Sequence, residues 1–412
     1  MAARPEPNPF RPGFGRMPPI VAGRDMHVGR IRDAMVDGGG EHFLIRGHRG
    51  MGKTVLLSLA RDAALEQGWL PLSTTASANL VDKLVDSEIP EMLRALEGGK
   101  TERAQVTGVQ IASVGQISTT RKQIHPSKPT LESRLRELVD TAGAAAGHSG
   151  GHSAGRPTGV LLSVDEMHRQ ALDDLAEVAA VTQALTREDF PIVFVGAGLP
   201  PNVHALLEEP RTTFLRRALT VELGPLGEAD TRTALLDPFY DAGRRISPDA
   251  AELAAQITQS NPHLIQLFGR ELWDLISERA GGVTNVEIGA DDIASTIPRF
   301  REHMRQQLHW TALKGLTERQ REYVEAAAAA ELPAEARTVR EALGWTEQTA
   351  NNTLTSLVGV GVMYRPQHGR LDFAVPYLQE HVRAEGTSIP DLSPIHKPPR
   401  HEEIARMLFP DD

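Results

Sequence analysis

Gly47-His48-Arg49-Gly50-Met51-Gly52-Lys53-Thr54 is the stretch on which the reading of this chain turns. It fits the phosphate-binding pattern G-x-x-x-x-G-K-[ST]. The run Glu41-His42-Phe43-Leu44-Ile45-Arg46 precedes it and reads as a strand. Lys53 to Gln67 follows, with Val55, Leu56, Leu59, Ala60, Ala63 and Ala64 at helical spacing. A Gly-rich turn between a strand and a helix presents backbone N–H groups, and the helix start adds positive partial charge, so the turn suits a polyphosphate. In that role the loop and first helical turn, Gly47 through Val55, cradle the phosphates. Lys53 reaches the β- and γ-phosphates, and the Thr54 hydroxyl ligates Mg²⁺.

Working outward, Val160-Leu161-Leu162-Ser163-Val164 is an apolar run that ends in Asp165-Glu166. A continuous run fits a strand buried on both faces of a parallel sheet. Acids at its carboxyl end emerge where ligands bind in open α/β folds. Asp165 is the expected second Mg²⁺ ligand, directly or through water, and Glu166 the group that activates the attacking water. Pro191 to Val195 is a further buried strand. It is followed only by Gly196-Ala197-Gly198, where phosphate-loop ATPases often carry a polar residue.

The chain has 412 residues, no cysteine and a formal net charge of −10. The length allows two or three domains, and the missing cysteines exclude disulfides and thiolate metal sites. The acidic balance argues against a strongly basic nucleic-acid coat but not against a local basic face. No apolar run approaches the length of a membrane span, and the Pro/Arg/Gly-rich start does not read as a secretory signal, so a cytoplasmic protein is expected. Ala-rich helices and Arg in preference to Lys suggest a bacterial coding sequence of high GC content.

The alternation of strand and helix from 20 to 225 predicts an α/β fold with a parallel-sheet phosphate-loop core. Within it, Trp69–Thr75 reads as a strand, Leu80–Leu96 and Leu131–Thr141 as helices, and Val106–Ser118 as a hairpin insertion. Ala142 to Thr158 reads as a flexible surface loop whose His148 and His152 have no carboxylate or thiol nearby to make a metal site. Residues 1–19 read as an extended lead-in, 226–308 as a helical lid, 309–385 as a C-terminal module and 386–412 as a Pro-rich tail.

In the C-terminal module Thr317 caps a helix with Gln320 at the capping-box position. Thr338–Leu343 is a short helix ended by Gly344, and Thr346 caps a third. Val362–Arg365 and Arg370–Val375 flank a Pro/Gly turn. Three short helices and a hairpin predict a winged helix-turn-helix. Its candidate base readers are Gln348, Asn351, Asn352 and Thr355, with Arg365, His368 and Arg370 on the wing for phosphate. The third helix has no Lys or Arg, and such modules also bind protein.

Together these residues resemble the AAA+ ATPases, in particular the initiator-like, origin-recognition-type and STAND-related branch with a C-terminal winged helix. The resemblance spans about residues 20 to 385. Val21-Ala22-Gly23-Arg24-Asp25 is similar to the turn that lines the adenine pocket, which implies nucleotide contacts for Gly23 and Arg24. Gly47–Thr54 is similar to Walker A, Val160–Glu166 to Walker B, and His168 fits a D-E-x-H form. Arg216 and Arg217 precede the connector Leu223-Gly224-Pro225-Leu226, and the resemblance implies an arginine here that reaches a neighbour's ATP. Ser260-Asn261-Pro262-His263 looks like the start of the sensor helix, with His263 where initiator-type relatives carry arginine. The implied protein is an ATP- and Mg²⁺-dependent switch that hydrolyses ATP, forms ATP-dependent homo-oligomers and acts on double-stranded DNA or a DNA-bound partner. The alternative is a STAND-like regulatory ATPase whose winged helix binds protein.

Overall fold

The structure, a computed structural model, describes residues 7–13, 16–97, 128–148, 159–280 and 286–388. The chain divides into two compact units, residues 1–300 and 301–412.

In the first unit five strands share a sheet: β1 (Phe43–Gly47), β2 (Leu70–Thr75), β3 (Val160–Met167), β4 (Ile192–Gly198) and β5 (Leu219–Leu223). Their order is β2-β3-β4-β1-β5, and all neighbours run parallel. The chain is therefore an α/β protein with the phosphate-loop NTPase fold. Alternation along the strands builds two cores. Phe43, Ile45, Leu161, Val193 and Val195 pack against α1 (Asp25–Val36) and α2 (Lys53–Glu66). Leu44, Leu162, Val164, Ile192 and Phe194 pack against the opposite layer. That layer holds α3 (Leu80–Lys83), α4 (Ile89–Glu97), α5 (Leu131–His148), α6 (Leu172–Arg187) and α7 (Pro200–Glu208). β4 lies between β1 and β3 and is buried along its whole length, as a parallel strand covered on both faces should be.

Two sequence expectations need correction here. The helix expected over Leu80–Leu96 is broken by a π turn at Leu84–Glu88. Pro90, just beyond it, has no N–H to continue an α-helical ladder, and the wider turn accommodates that loss. The flexible loop expected from Ala142 instead begins as helix, because α5 runs on to His148. Ala142 is buried, and the alanines after it are strong helix formers. The rest of that expected loop, with His152, and the Val106–Ser118 hairpin lie outside the described residues.

The first unit continues through α8 (Glu228–Asp241), α9 (Pro248–Thr258), α10 (Pro262–Ala280) and most of α11 (Ala290–Met304). Two short strands, β6 (Arg245–Ile246) and β7 (Glu287–Ile288), pair in parallel among them. The lead-in docks on α10. Asn8 Nδ2 donates to Asp274 Oδ1 at 2.8 Å, and Arg11 N–H to Gln266 Oε1 at 3.0 Å. The Phe10 ring lies 5.2 Å from that of Phe239 and fills the place a side chain on Gly269 would need.

The second unit contains α12 (Trp310–Leu313), α13 (Glu318–Ala329), β8 (Ala334–Glu335), α14 (Ala336–Leu343), α15 (Glu347–Gly359), β9 (Met363–Tyr364), β10 (Arg370–Phe373) and α16 (Leu378–Glu385). The three strands form an antiparallel sheet in the order β8-β10-β9. Thr317 and Gln320 form a reciprocal capping box on α13, and the Thr346 hydroxyl caps α15. Tyr323, Val339, Leu354, Leu357 and Leu371 bring α13, α14, α15 and β10 onto one core.

His42 fixes the start of β1 against its neighbours. Its Nδ1 accepts the Phe194 N–H at 3.1 Å, and its Nε2 faces the Thr186 hydroxyl at 3.0 Å. Burial pushes its pKa down to about 4, below the ordinary 6.5. The unfolded chain therefore binds a proton that the folded one refuses. Stability contributed by neutral His42 is complete above pH 6.5 and is lost as the pH falls toward 4. The expected loss is on the order of 3 kcal/mol across that window. Urea unfolding at pH 7, 5.5 and 4.5 should show this slope, and His42→Gln should remove most of it.

Candidate nucleotide site

The site lies at the carboxyl ends of β1, β3 and β4, where open parallel sheets bind ligands. Gly47 ends β1 close beside β5, where a side chain would lie 2.7 Å from the Leu223 carbonyl oxygen. The loop then turns through left-handed backbone at Gly50 (φ +80°) and Gly52 (φ +83°), conformations open to glycine at little cost. Gly52 leads directly into α2. His48 is half-buried, Arg49 is exposed, Met51 is buried and Val55 is half-buried in the first helical turn.

The Lys53 ammonium donates to the carbonyl oxygens of Gly47 at 2.8 Å and His48 at 3.0 Å. Burial pushes its pKa down to about 8, opposed by the carboxylates of Asp165 and Glu166. The Thr54 hydroxyl donates to Asp165 Oδ2 at 2.7 Å, and the other Asp165 oxygen accepts the Glu166 N–H at 2.7 Å. Residues 111 positions apart are thus joined at the expected metal site. A hydroxyl and a carboxylate at the mouth of a phosphate loop are hard oxygen donors, which suits Mg²⁺.

Glu166 is exposed and holds φ +53°, a left-handed conformation that is strained for a side-chain-bearing residue. It sits in an irregularity of the β3–β4 ladder between Val164 and Met167. That irregularity folds Met167 over β4. A side chain at Gly196 would lie 2.7 Å from Met167 Sδ, and one at Gly198 would lie 2.9 Å from the Met167 carbonyl oxygen. At Gly196 and Gly198, in the last part of β4, Met167 occupies the space a side chain would need.

Gly23 and Arg24 stand beside the loop. Arg24 is buried and donates to the Met51 carbonyl oxygen at 3.0 Å and to the Gly23 carbonyl oxygen at 3.1 Å. Burial lowers its pKa and Asp230 raises it. The Asp230 carboxylate occupies the place of any Gly23 side chain. The His263 N–H donates to the Gly50 carbonyl oxygen at 3.3 Å and to Asn261 Oδ1 at 2.9 Å. The His263 Nε2 is buried without a hydrogen-bond partner, and burial lowers the pKa of the ring. Arg216 and Arg217 are exposed at the end of a 3₁₀ stretch, Pro210–Arg217. Arg216 Nε donates to the Leu207 carbonyl oxygen at 2.6 Å. Arg211 is already paired with Asp173 and Glu209.

Sequence reasoning did not find Asp230 or Met167, and it gave Asn261 no role beyond its place in the Ser260–His263 motif. Asn261 carried a signal, since Asn before Pro-His can cap a helix, and its Oδ1 accepts the N–H groups of His263 and Leu264. Asp230 and Met167 carried none.

Residues 21–195 match a family described as AAA ATPase domain. This match supports the AAA+ class for the core, with nucleotide binding and ATP hydrolysis as its general chemistry. Residues 306–382 match a second family, Domain of unknown function (DUF8462). No curated protein matches the sequence. Among solved structures, the Walker-type ATPase of Pyrococcus abyssi is 15% identical, with a TM-score of 0.54 over 88% of this chain and 96% of that one. The ORC2 protein of Aeropyrum pernix, in ADPNP-ADP complexes, is 14% identical, with a TM-score of 0.55 over 92% of this chain and 98% of that one. At these identities the likeness is one of fold.

Gly50 is constrained twice, by its neighbours and by its backbone. A side chain there would lie 3.0 Å from His263 Cβ and 3.2 Å from Asn261 Oδ1, on a backbone at φ +80°. Gly50→Ala should cost about 1–3 kcal/mol of stability and weaken ATP binding by roughly tenfold or more. Lys53→Ala should lose ATP binding yet melt near the parent temperature, because its charge serves the phosphates. Calorimetric titration with ATP and thermal melts separate the two variants.

Proposed function

We propose that this chain is an ATP-driven AAA+ switch of the initiator-like type, coupled to a winged helix that acts on DNA or a DNA-bound partner. The observation that carries the catalytic half is the Thr54–Asp165 contact, which joins the phosphate loop to the acidic end of β3. Gly47 to Val55 hold the phosphates of ATP, and Lys53 turns its ammonium from the loop carbonyls to the β- and γ-phosphates. Glu166, exposed beside that site, takes the proton of the attacking water. Thr54 and Asp165 hold Mg²⁺, which supplies charge neutralisation on the phosphate oxygens. Gly23, Arg24 and His263 are the remaining nucleotide-side residues. His263 connects the loop to α10 through its bond to Gly50.

Arg216 and Arg217 are exposed with no acidic partner within ion-pair distance among the described residues, Arg216 being held by the Leu207 carbonyl oxygen, and we assign them to the nucleotide of a second copy. In that reading ATP promotes self-association, and the arginines stabilise charge at the neighbouring γ-phosphate.

For the C-terminal unit, α13, α14 and α15 with the β8-β10-β9 sheet support a winged helix. Gln348, Asn351, Asn352 and Thr355 are all exposed on α15, available to base edges, with Arg365, His368 and Arg370 on the hairpin side. A second reading, a regulatory ATPase whose winged helix binds protein, is favoured by the lack of any Lys or Arg on α15.

Glu166→Gln should bind ATP within about twofold of the parent and turn it over roughly a hundredfold more slowly. Equal steady-state rates would remove Glu166 from the reaction. The Arg216→Ala/Arg217→Ala variant should bind ATP normally, and its specific activity should no longer rise with protein concentration. A parent that stays monomeric with ATP at micromolar concentration would overturn the trans arrangement. Duplex binding measured against salt, with and without ATP, decides between the two readings of the winged helix. A clearly negative log–log slope is expected for DNA, and a flat one would favour a protein partner.

A further inference from the structure

The lead-in lies across the two helices whose first turns support the phosphate loop. At the start of α10 the His263 N–H donates to the Gly50 carbonyl oxygen, and in the first turn of α8 the Asp230 carboxylate fills the place of a Gly23 side chain. Farther along, the same two helices hold Phe10. Its ring meets α10 at Gly269 and α8 at Phe239. At the rise of an α-helix, those contacts lie roughly 9 Å beyond His263 and roughly 14 Å beyond Asp230.

Gly269 is the informative residue. It is buried in the interior of α10, and its backbone is not left-handed. Glycine inside a helix is destabilising relative to alanine, and no turn asks for it here. The reason is contact, because any side chain at 269 would overlap the Phe10 ring. That ring is 4% exposed, and Phe239 in turn lies 5.5 Å from Trp273 on α10. Asn8 anchors the segment. Its Nδ2 donates to Asp274 Oδ1 at 2.8 Å and to the Arg270 carbonyl oxygen at 3.1 Å, and its Oδ1 accepts the Phe10 N–H at 2.9 Å. Pro9 and Pro12 bracket the ring with fixed φ, so the segment loses little freedom when it docks.

We propose that residues 8–11 are a strap across α8 and α10, and that Phe10 is a positioning residue for the nucleotide site. With the ring seated, the two helices are held together, and Asp230 and His263 stay against the turns at Gly23 and Gly50. With the ring out, the helices shift against each other and both supports loosen. The nucleotide must then order the loop itself, and a binding-competent state that is only partly populated lowers the apparent affinity by its fraction. The proposal rests on the reading of the loop as an ATP site.

The test follows release of a fluorescent ATP analogue from the full chain by stopped flow, beside thermal melts. Phe10→Ala should speed release by about fivefold, within the range for positions that act on a site through packed elements. Gly269→Ala, which favours the helix but expels the ring, should do the same. The double variant should release no faster than Phe10→Ala, since nothing is left to expel. Should Phe10→Ala fail to fold, Asn8→Ala, which keeps the ring and removes its anchors, should still speed release. Leu185→Ala, in the core on the opposite layer of the sheet, should lower the melting temperature and leave release at the parent rate. Unchanged release in the strap variants, additive effects in the double variant, or release that merely follows melting temperature through Leu185→Ala overturns the proposal alone. A parent that binds no ATP removes the nucleotide reading, and the strap's role with it.

Discussion

The first unit depends on how closely backbone can approach the loop from Gly47 to Lys53. At Gly47 the loop meets a carbonyl oxygen of β5, and at Gly50 it meets the start of α10. Its path needs left-handed backbone at Gly50 and Gly52. A turn so confined, with helix α2 opening from it, keeps its amides and the helix dipole aimed at one place. Arg24 adds a third support by holding the Met51 carbonyl oxygen from a buried position. The helical segment after β5 contributes His263, Asn261 and Asp230 to these supports. The loop and that segment are therefore mechanically joined before any ligand is considered.

The acidic side of the site follows from the order of the strands. β4 separates β1 from β3, so Thr54 and Asp165 meet across the sheet end, and the residues at the end of β4 must be small. The break in the β3 ladder brings Asp165 toward the loop, leaves Glu166 strained and exposed, and places Met167 over Gly196 and Gly198. One local irregularity thus accounts for the strained backbone at Glu166 and for the absence of side chains at Gly196 and Gly198. Strained backbone of this kind persists where the surroundings over-determine it.

The second unit uses caps and small apolar residues to assemble three helices around Tyr323 and Leu371, and its sheet is short. Its charge is distributed differently from that of the chain as a whole. Arg305, Arg337, Arg340 and Arg370 are paired with glutamates, which makes their contribution small in water, while Arg321 and Arg383 donate to backbone carbonyl oxygens.

The sequence by itself determined the elements with a short-range signature. The loop was legible because glycine, lysine and threonine are needed at fixed spacing, and the strands because an apolar run must be covered on both faces. The Thr317 and Thr346 caps were legible because a hydroxyl satisfies a helix start only a few residues away. Tertiary structure decided what depends on distant approach. The Met167 contact with Gly196, the Arg24 bond to Met51 and the Asp230 contact with Gly23 join residues whose types would fit many other places. The π turn at Leu84–Glu88 follows from Pro90, and α5 runs on to His148 through alanines that favour helix. That Gly269 makes room for Phe10 could not be read from sequence, because glycine inside a helix serves many uses, and only the approach of a distant segment shows which one applies.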